Sequence, residues 1–181
     1  YKGVTLGRPD REELDKPKKA WVEQRKWDIP ETLVIKVAPV GAFIMKEDNP
    51  NQKFTTGELR DEIVQCLEAG ACAFHVHVRD ERGKHTLDTK LYHDMIDPIK
   101  AKYGKNVVVC GCPEGGHSFE ENLTPIVEFR GIIETAPITV STVCLTGNFT
   151  VAGNEEAVRA QVEVMQDVGC KPEVVMHNIG D

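Results

Sequence analysis

From Leu33 onward the chain repeats one pattern: a short apolar run, a polar connection, then a stretch of helical periodicity that stops at a glycine. Leu33 to Val40 reads as a strand. Thr55 to Ala69 reads as a helix, with Glu58 three residues after Thr55 as a capping box, apolar positions Leu59, Ile63, Val64 and Leu67, and Gly70 as the stop. Cys72 to Val78 is the next strand, Thr89 to Tyr103 the next helix, and Val107 to Cys110 a third strand. A helix over Phe119 to Glu128, a strand over Gly131 to Thr135, a helix over Asn154 to Val168 and a strand over Pro172 to Met176 continue the series. Ala136 to Thr150 reads as irregular or mixed. Strands alternating with helices at intervals of about 30 residues mean βαβ units and therefore a parallel sheet.

Two α/β architectures satisfy that alternation. A doubly wound sheet of five strands would be complete in 181 residues. A (β/α)8 TIM barrel needs about 200 or more residues, so this chain would supply roughly its first five strands. The stretch KPEVVMHNIGD stops after a strand, where a covering helix should begin, and on that ground the barrel is expected. Residues 31–181 are then the N-terminal part of a barrel catalytic domain. Residues 1–30 are polar, with Trp21 and Trp27 as the apolar contacts of an N-terminal arm.

The strand in ACAFHVHVRDERG (residues 71–83) carries the sharpest chemical signal. Residues two apart on a strand share a face, so His75 and His77 project side by side, with Phe74, Val76 and Val78 on the other face. Two adjacent imidazoles are either a divalent-metal site, zinc above all, or a pair of polar groups bonded to backbone or to each other. In a barrel, functional side chains stand at the carboxyl ends of strands, where these two lie. His177, ending the last strand, is a further candidate for the same mouth, as ligand or pocket residue. His85, His93 and His117 read as surface or loop residues.

VVVCGCPEGGHSF (107–119) is the other unusual stretch. Gly115 and Gly116 let backbone approach a ligand and offer N–H groups to an anion. Cys112 is a pocket thiol or a packing residue, with no neighbouring base to make it a nucleophile. Glu114 is an acid/base candidate or an exposed loop carboxylate. The Arg79-Asp80 pair opens the loop after the histidines. Six cysteines without a CxxC pair read as reduced thiols.

A net charge of −7 argues against nucleic acid and anionic membrane as partners. No apolar run reaches the length of a membrane span, and the first thirty residues show no signal-peptide core, so the expected location is cytoplasmic.

VIKVAPVGAF followed by TTGELRDEIVQCLEAGACAFHVHVRDERGK resembles the start of the β-keto acid cleavage enzyme family, whose prototype is the 3-keto-5-aminohexanoate cleavage enzyme. The resemblance runs from about Leu33 to Asp181, with the HxHxRD segment its most specific part. It implies a (β/α)8 barrel, one zinc ion, and an acyltransferase that moves the acyl part of a β-keto acid to CoA, with acetyl-CoA as co-substrate and acetoacetate as product. It implies His75 and His77 as metal ligands, with a third ligand, a glutamate, beyond residue 181. Thr146 stands where the family has a substrate-contacting threonine, and Cys112 where the prototype has a pocket serine. Phe43 replaces a glutamate that binds the substrate's amino end, which implies a tail without an amino group. Arg79, Gly115, Gly116 and His177 complete the expected substrate-binding set, and Thr146, Cys112 and Glu114 the catalytic one. Family members are commonly tetramers, so a homo-oligomer is expected. Two other readings remain: a metal-dependent hydrolase on a TIM barrel, disfavoured because its HxH ends the first strand, and a non-catalytic α/β binding module.

Overall fold

The structure, a computed structural model, describes residues 31–146, 149–151 and 153–176. The chain divides between Leu33 and Val34, and the fold described is that of the second unit. Its elements run β1 (Lys36–Val37), α1 (Thr56–Glu68), β2 (Ala73–His75), β3 (Val78–Arg79), β4 (His85–Thr86), α2 (Thr89–Tyr103), β5 (Val108–Cys110), α3 (Phe119–Glu128), β6 (Ile133–Thr139), β7 (Val143–Thr146), β8 (Phe149–Val151), α4 (Glu155–Val168) and β9 (Lys171–Val175). None of the described helices is long and apolar enough to cross a membrane.

Each helix begins where a side chain takes up a free amide. Thr55 accepts from the Glu58 amide at 3.2 Å, and the Glu58 carboxylate accepts from the Thr55 amide at 3.1 Å. Asp88, Ser118 and Asn154 cap α2, α3 and α4 in the same way. α4 ends at Gly169 in the left-handed region, φ 76°, which closes the helix without a Cβ clash.

The five main strands pair in parallel in the order β1-β2-β5-β6-β9, each beside the one before it in the chain. This order decides between the two architectures. A doubly wound sheet reverses direction at a switch point, whereas a barrel wall grows one way only. Right-handed crossovers in a one-way series put every helix on the same face, and α1, α2, α3 and α4 do pack successively against one another. A second observation shows curvature. Lys36 on β1 and Glu173 on β9 form an ion pair. Four strand spacings of about 4.8 Å would hold them about 19 Å apart on a flat sheet. The fold is thus part of a (β/α)8 barrel, five strands of its wall.

The two faces of that wall differ in chemistry. Phe74, Val109, Ile133, Ala136 and Ile138 are buried against Leu59, Ile63, Met95, Ile96, Ile126 and Met165 from the helices. The concave face carries Lys36, His75, Cys110 and Glu173 instead. At the two edges apolar side chains stand open, Val34 73% and Val174 62% exposed.

Several boundaries differ from expectation. The Leu33–Val40 run pairs regularly over Lys36–Val37 alone. The Cys72–Val78 strand stops at His75, and Val78–Arg79 turns away to pair antiparallel with His85–Thr86. The fourth main strand runs on to Thr139, through Pro137. A proline is tolerated there because the last pairing with β5 is Cys110 with Thr135, so no ladder partner needs its missing N–H. The Pro137 carbonyl accepts from Gln161 Nε2 at 3.0 Å. Within Ala136–Thr150, read as irregular, β7 and β8 form an antiparallel pair.

Candidate functional site

The C-terminal ends of β1, β2 and β5 bring three segments to one rim: the loop after Val37, the two histidines and the glycine-bearing loop after Cys110. His75 ends β2 and His77 follows in the two residues before β3, and their Nε2 atoms stand 3.0 Å apart with the rings edge to face at 4.7 Å. His75 Nδ1 lies 3.2 Å from Cys110 Sγ, its parallel-strand neighbour. A ring that gives Nδ1–H to that sulfur keeps its Nε2 lone pair for a cation. Burial holds both imidazoles neutral, pushing His75 down to about 4 and His77 to about 3, with Lys36 adding to the effect on His75 and the neighbouring imidazoles to that on His77. Among the described residues, one ring nitrogen of each histidine and the Cys112 sulfur fall within 4.8 Å of one another.

Beside the histidines lies a cavity of about 150 Å³, lined by Ala42, Phe43, His77, His85, Glu114 and Gly115. Phe43 thus sits in a pocket wall, although 42% exposed. Glu114 is half-buried rather than an exposed loop carboxylate, and accepts from the Thr139 hydroxyl at 3.3 Å. Gly115 has φ 106°, and a Cβ there would stand 2.4 Å from His85 Nδ1, so only glycine lets this ring lie where it does.

His85 is the residue that sequence reasoning placed at the surface and the fold places in the pocket. Its ring is 4.8 Å from that of His77, and its Nε2 is buried without a partner among the described residues, as is His77 Nδ1. Burial and the nearby Arg79 cation push its pKa down to about 4. The available signal was the Asp80–Gly83 turn. Asp80 accepts from the Arg82 and Lys84 amides, both at 2.9 Å, and folds the chain back so that His85 pairs with Arg79.

Other expected site residues sit differently. Arg79 is 2% exposed and does not line that cavity. Its guanidinium donates to the carbonyls of Gly83, at 2.7 Å, and Gly41, and stacks over Phe54. It fixes the histidine loop against the loop after β1. The Gly116 amide, expected to face an anion, donates to Asn122 Oδ1 at 2.7 Å. Gly116 lines a separate cavity of about 390 Å³ with His117 and Glu121, divided from the first by His85 and Gly115. Cys112 is fully buried, and burial pushes its thiol far up. Thr146 ends β7, with its side chain outside what is described. His177 lies outside the described residues. His93 and His117 are surface groups, as expected.

Residues 32–181 match a family model described as beta-keto acid cleavage enzyme. Two proteins named 3-keto-5-aminohexanoate cleavage enzyme are similar. That of Fusobacterium nucleatum subsp. nucleatum is 28% identical over 152 residues, 83% of this chain and 54% of the relative. That of Acetoanaerobium sticklandii is 31% identical over 106 residues, 53% of this chain and 36% of the relative. The chain spans about half the length, or less, of these curated relatives. Among solved structures, the ternary complex of ObcA with C4-CoA adduct and oxalate superposes with a TM-score of 0.62 at 16% identity, over 72% of this chain and 32% of that one. The binary complex of ObcA with oxaloacetate gives 0.59 at 16% identity, over 69% and 31%. At such identity the likeness speaks to the fold.

Proposed function

The chain belongs to the beta-keto acid cleavage enzyme family, and from that premise we propose that the protein exchanges acyl groups between a β-keto acid and acetyl-CoA at a zinc ion held by His75 and His77. A β-keto acid RCOCH2COO⁻ and acetyl-CoA give RCO–SCoA and acetoacetate. The C2–C3 bond of the keto acid and the acetyl C–S bond of acetyl-CoA break, C2 bonds to the acetyl carbonyl carbon and the CoA sulfur to C3, and the proton taken from C2 returns to that carbon in acetoacetate. The reading is supported by the two Nε2 atoms 3.0 Å apart. Zinc bonds of 2.0–2.1 Å at tetrahedral angles put two imidazole nitrogens about 3.3 Å apart. By resemblance a glutamate later in the barrel is the third ligand.

The ion would supply a Lewis acid for the keto acid's oxygens and for the negative charge that develops there. The protein's own groups would do the rest. His75 keeps the right tautomer through Cys110, and Arg79 holds the loop that carries both rings. Glu114, oriented by Thr139, would take the C2 proton, with Thr146 as a further hydrogen-bonding group to substrate. Phe43, His85 and the close backbone at Gly115 receive the tail, Phe43 disfavouring an amino group. That ObcA, which shares the fold, is solved with a C4-CoA adduct and oxalate is consistent with a CoA compound and a small acid as ligands here. The polar N-terminal arm expected over residues 1–30 lies outside the described residues, and the working form would be a cytoplasmic homo-oligomer, tetrameric by resemblance.

The test is incubation of the full-length protein with acetyl-CoA and a panel of β-keto acids bearing neutral, acidic and basic tails, followed by assay for acetoacetate. Acetoacetate is expected, with neutral tails preferred over amino-bearing ones. Its absence across the panel would overturn the assignment.

A further inference from the structure

The loop after β5 presents a sulfur that neither the strand pattern nor the family resemblance assigns to the metal. Cys110 and Cys112 flank Gly111, where a Cβ would stand 3.0 Å from two atoms of Ile133. The missing side chain lets this loop lie close against β6, and the two cysteines meet the histidines differently. Cys110 Sγ contacts Nδ1 of His75, the nitrogen turned away from His77. Cys112 is the sulfur that clusters with both rings, one ligating atom from each of the three residues falling within 4.8 Å of the others. Cys112 is 2% exposed, so its sulfur faces the histidine rings inside the fold and not solvent.

We infer that Cys112 is a thiolate ligand of the metal, so that this chain supplies a His75–His77–Cys112 set rather than two histidines and a pocket thiol. The inference rests on the metal part of the reading above and needs none of its acyl chemistry. Zinc bonds of 2.0–2.1 Å to nitrogen and 2.3 Å to sulfur put such ligand atoms about 3.3–3.7 Å apart, so a cluster within 4.8 Å needs a contraction of about 1.5 Å at most. No base is required for ionisation. The dication takes the place of the thiol proton, and one proton passes to solvent per metal bound. A soft sulfur donor also biases the site toward zinc or cobalt and away from magnesium and calcium. Cys110 acts one step out, fixing the His75 ring.

The experiment is titration of the metal-free, reduced full-length protein with Co²⁺, followed by near-ultraviolet and visible absorption. Wild type and Cys110→Ser should both show the sulfur-to-cobalt charge-transfer band. Cys112→Ser should lose it, bind cobalt more weakly and release one proton fewer per metal. Cobalt bound to wild type without a sulfur band would overturn the inference, as would a band kept in Cys112→Ser and lost in Cys110→Ser. If Cys112→Ser fails to fold by circular dichroism, X-ray absorption on zinc-loaded wild type decides the matter. One sulfur at about 2.3 Å is expected, and a shell of nitrogen and oxygen alone would refute it. A wild type that binds neither metal overturns this inference together with the zinc reading. A sulfur band in a protein that cleaves no keto acid leaves the inference standing and removes only the acyl-transfer assignment.

Discussion

His85 and His77 each hold a buried ring nitrogen that has no partner among the described residues, beside one small cavity. Such groups lose hydration on folding and regain it only through a ligand or water. A His85→Phe variant keeps the ring's bulk against Gly115 and removes the polar atom. Keto acids whose tails carry an uncharged hydrogen-bonding group should then lose affinity about threefold to tenfold relative to apolar ones. Isothermal titration with matched pairs would read this, and an unchanged ratio would exclude His85 from substrate contact. The same burial fixes a pH dependence. His75, His77 and His85 have pKa values near 4, 3 and 4 in the fold, against 6.5 for an ordinary imidazole. The unfolded chain therefore binds more protons below pH 6.5, and stability from these groups, intact above that, drains away as pH falls toward 4. The metal-free protein should melt progressively lower from pH 6.5 to 4.5, and His85→Phe should flatten that slope. A melting temperature constant over the interval would contradict it. His75 and His77 were legible because a strand alternates its faces every residue. His85 was not, because its position depends on the Arg79–His85 register and on a missing Cβ in a loop thirty residues later.

At the scale of elements, the helices were the most readable because their ends are local chemistry. Thr55 with Glu58, Asp88, Ser118 and Asn154 each satisfy amides within three residues of themselves. Thr55→Ala should cost about 1 kcal/mol in urea denaturation, with the midpoint lowered and the slope unchanged. A neutral result would mean that packing of Leu59, Ile63 and Leu67 alone fixes α1. Strand ends read less well, since nothing in the sequence marks where a neighbour stops pairing. Thr139 extends β6 well past β5 because β9 continues to pair with it. Val78 leaves the main sheet because Asp80 turns the chain toward His85. The first is settled by a partner distant in sequence, the second by a local turn.

For the wall of strands as a whole, the inward curl is the property from which the site follows, since it turns the loops after the neighbouring strands β1, β2 and β5 toward one cavity. Helix–strand alternation leaves a flat doubly wound sheet and a barrel equally open, and the length of the chain says nothing decisive. What separates them is the one-way strand order and the meeting of Lys36 with Glu173 across four strand spacings. The curl can be measured in solution through that ion pair. Both side chains are about one-third exposed, 36% and 33%, so solvent screens much of their attraction. A double-mutant cycle with Lys36→Met and Glu173→Gln should give a coupling of about 0.5 kcal/mol, weakened by salt. On a flat sheet the two groups would lie beyond a Debye length of about 8 Å at physiological ionic strength, and the coupling would vanish. A coupling of zero at physiological ionic strength would therefore take away the ion pair as a sign of the curl that brings His75, His77 and Cys112 to one rim.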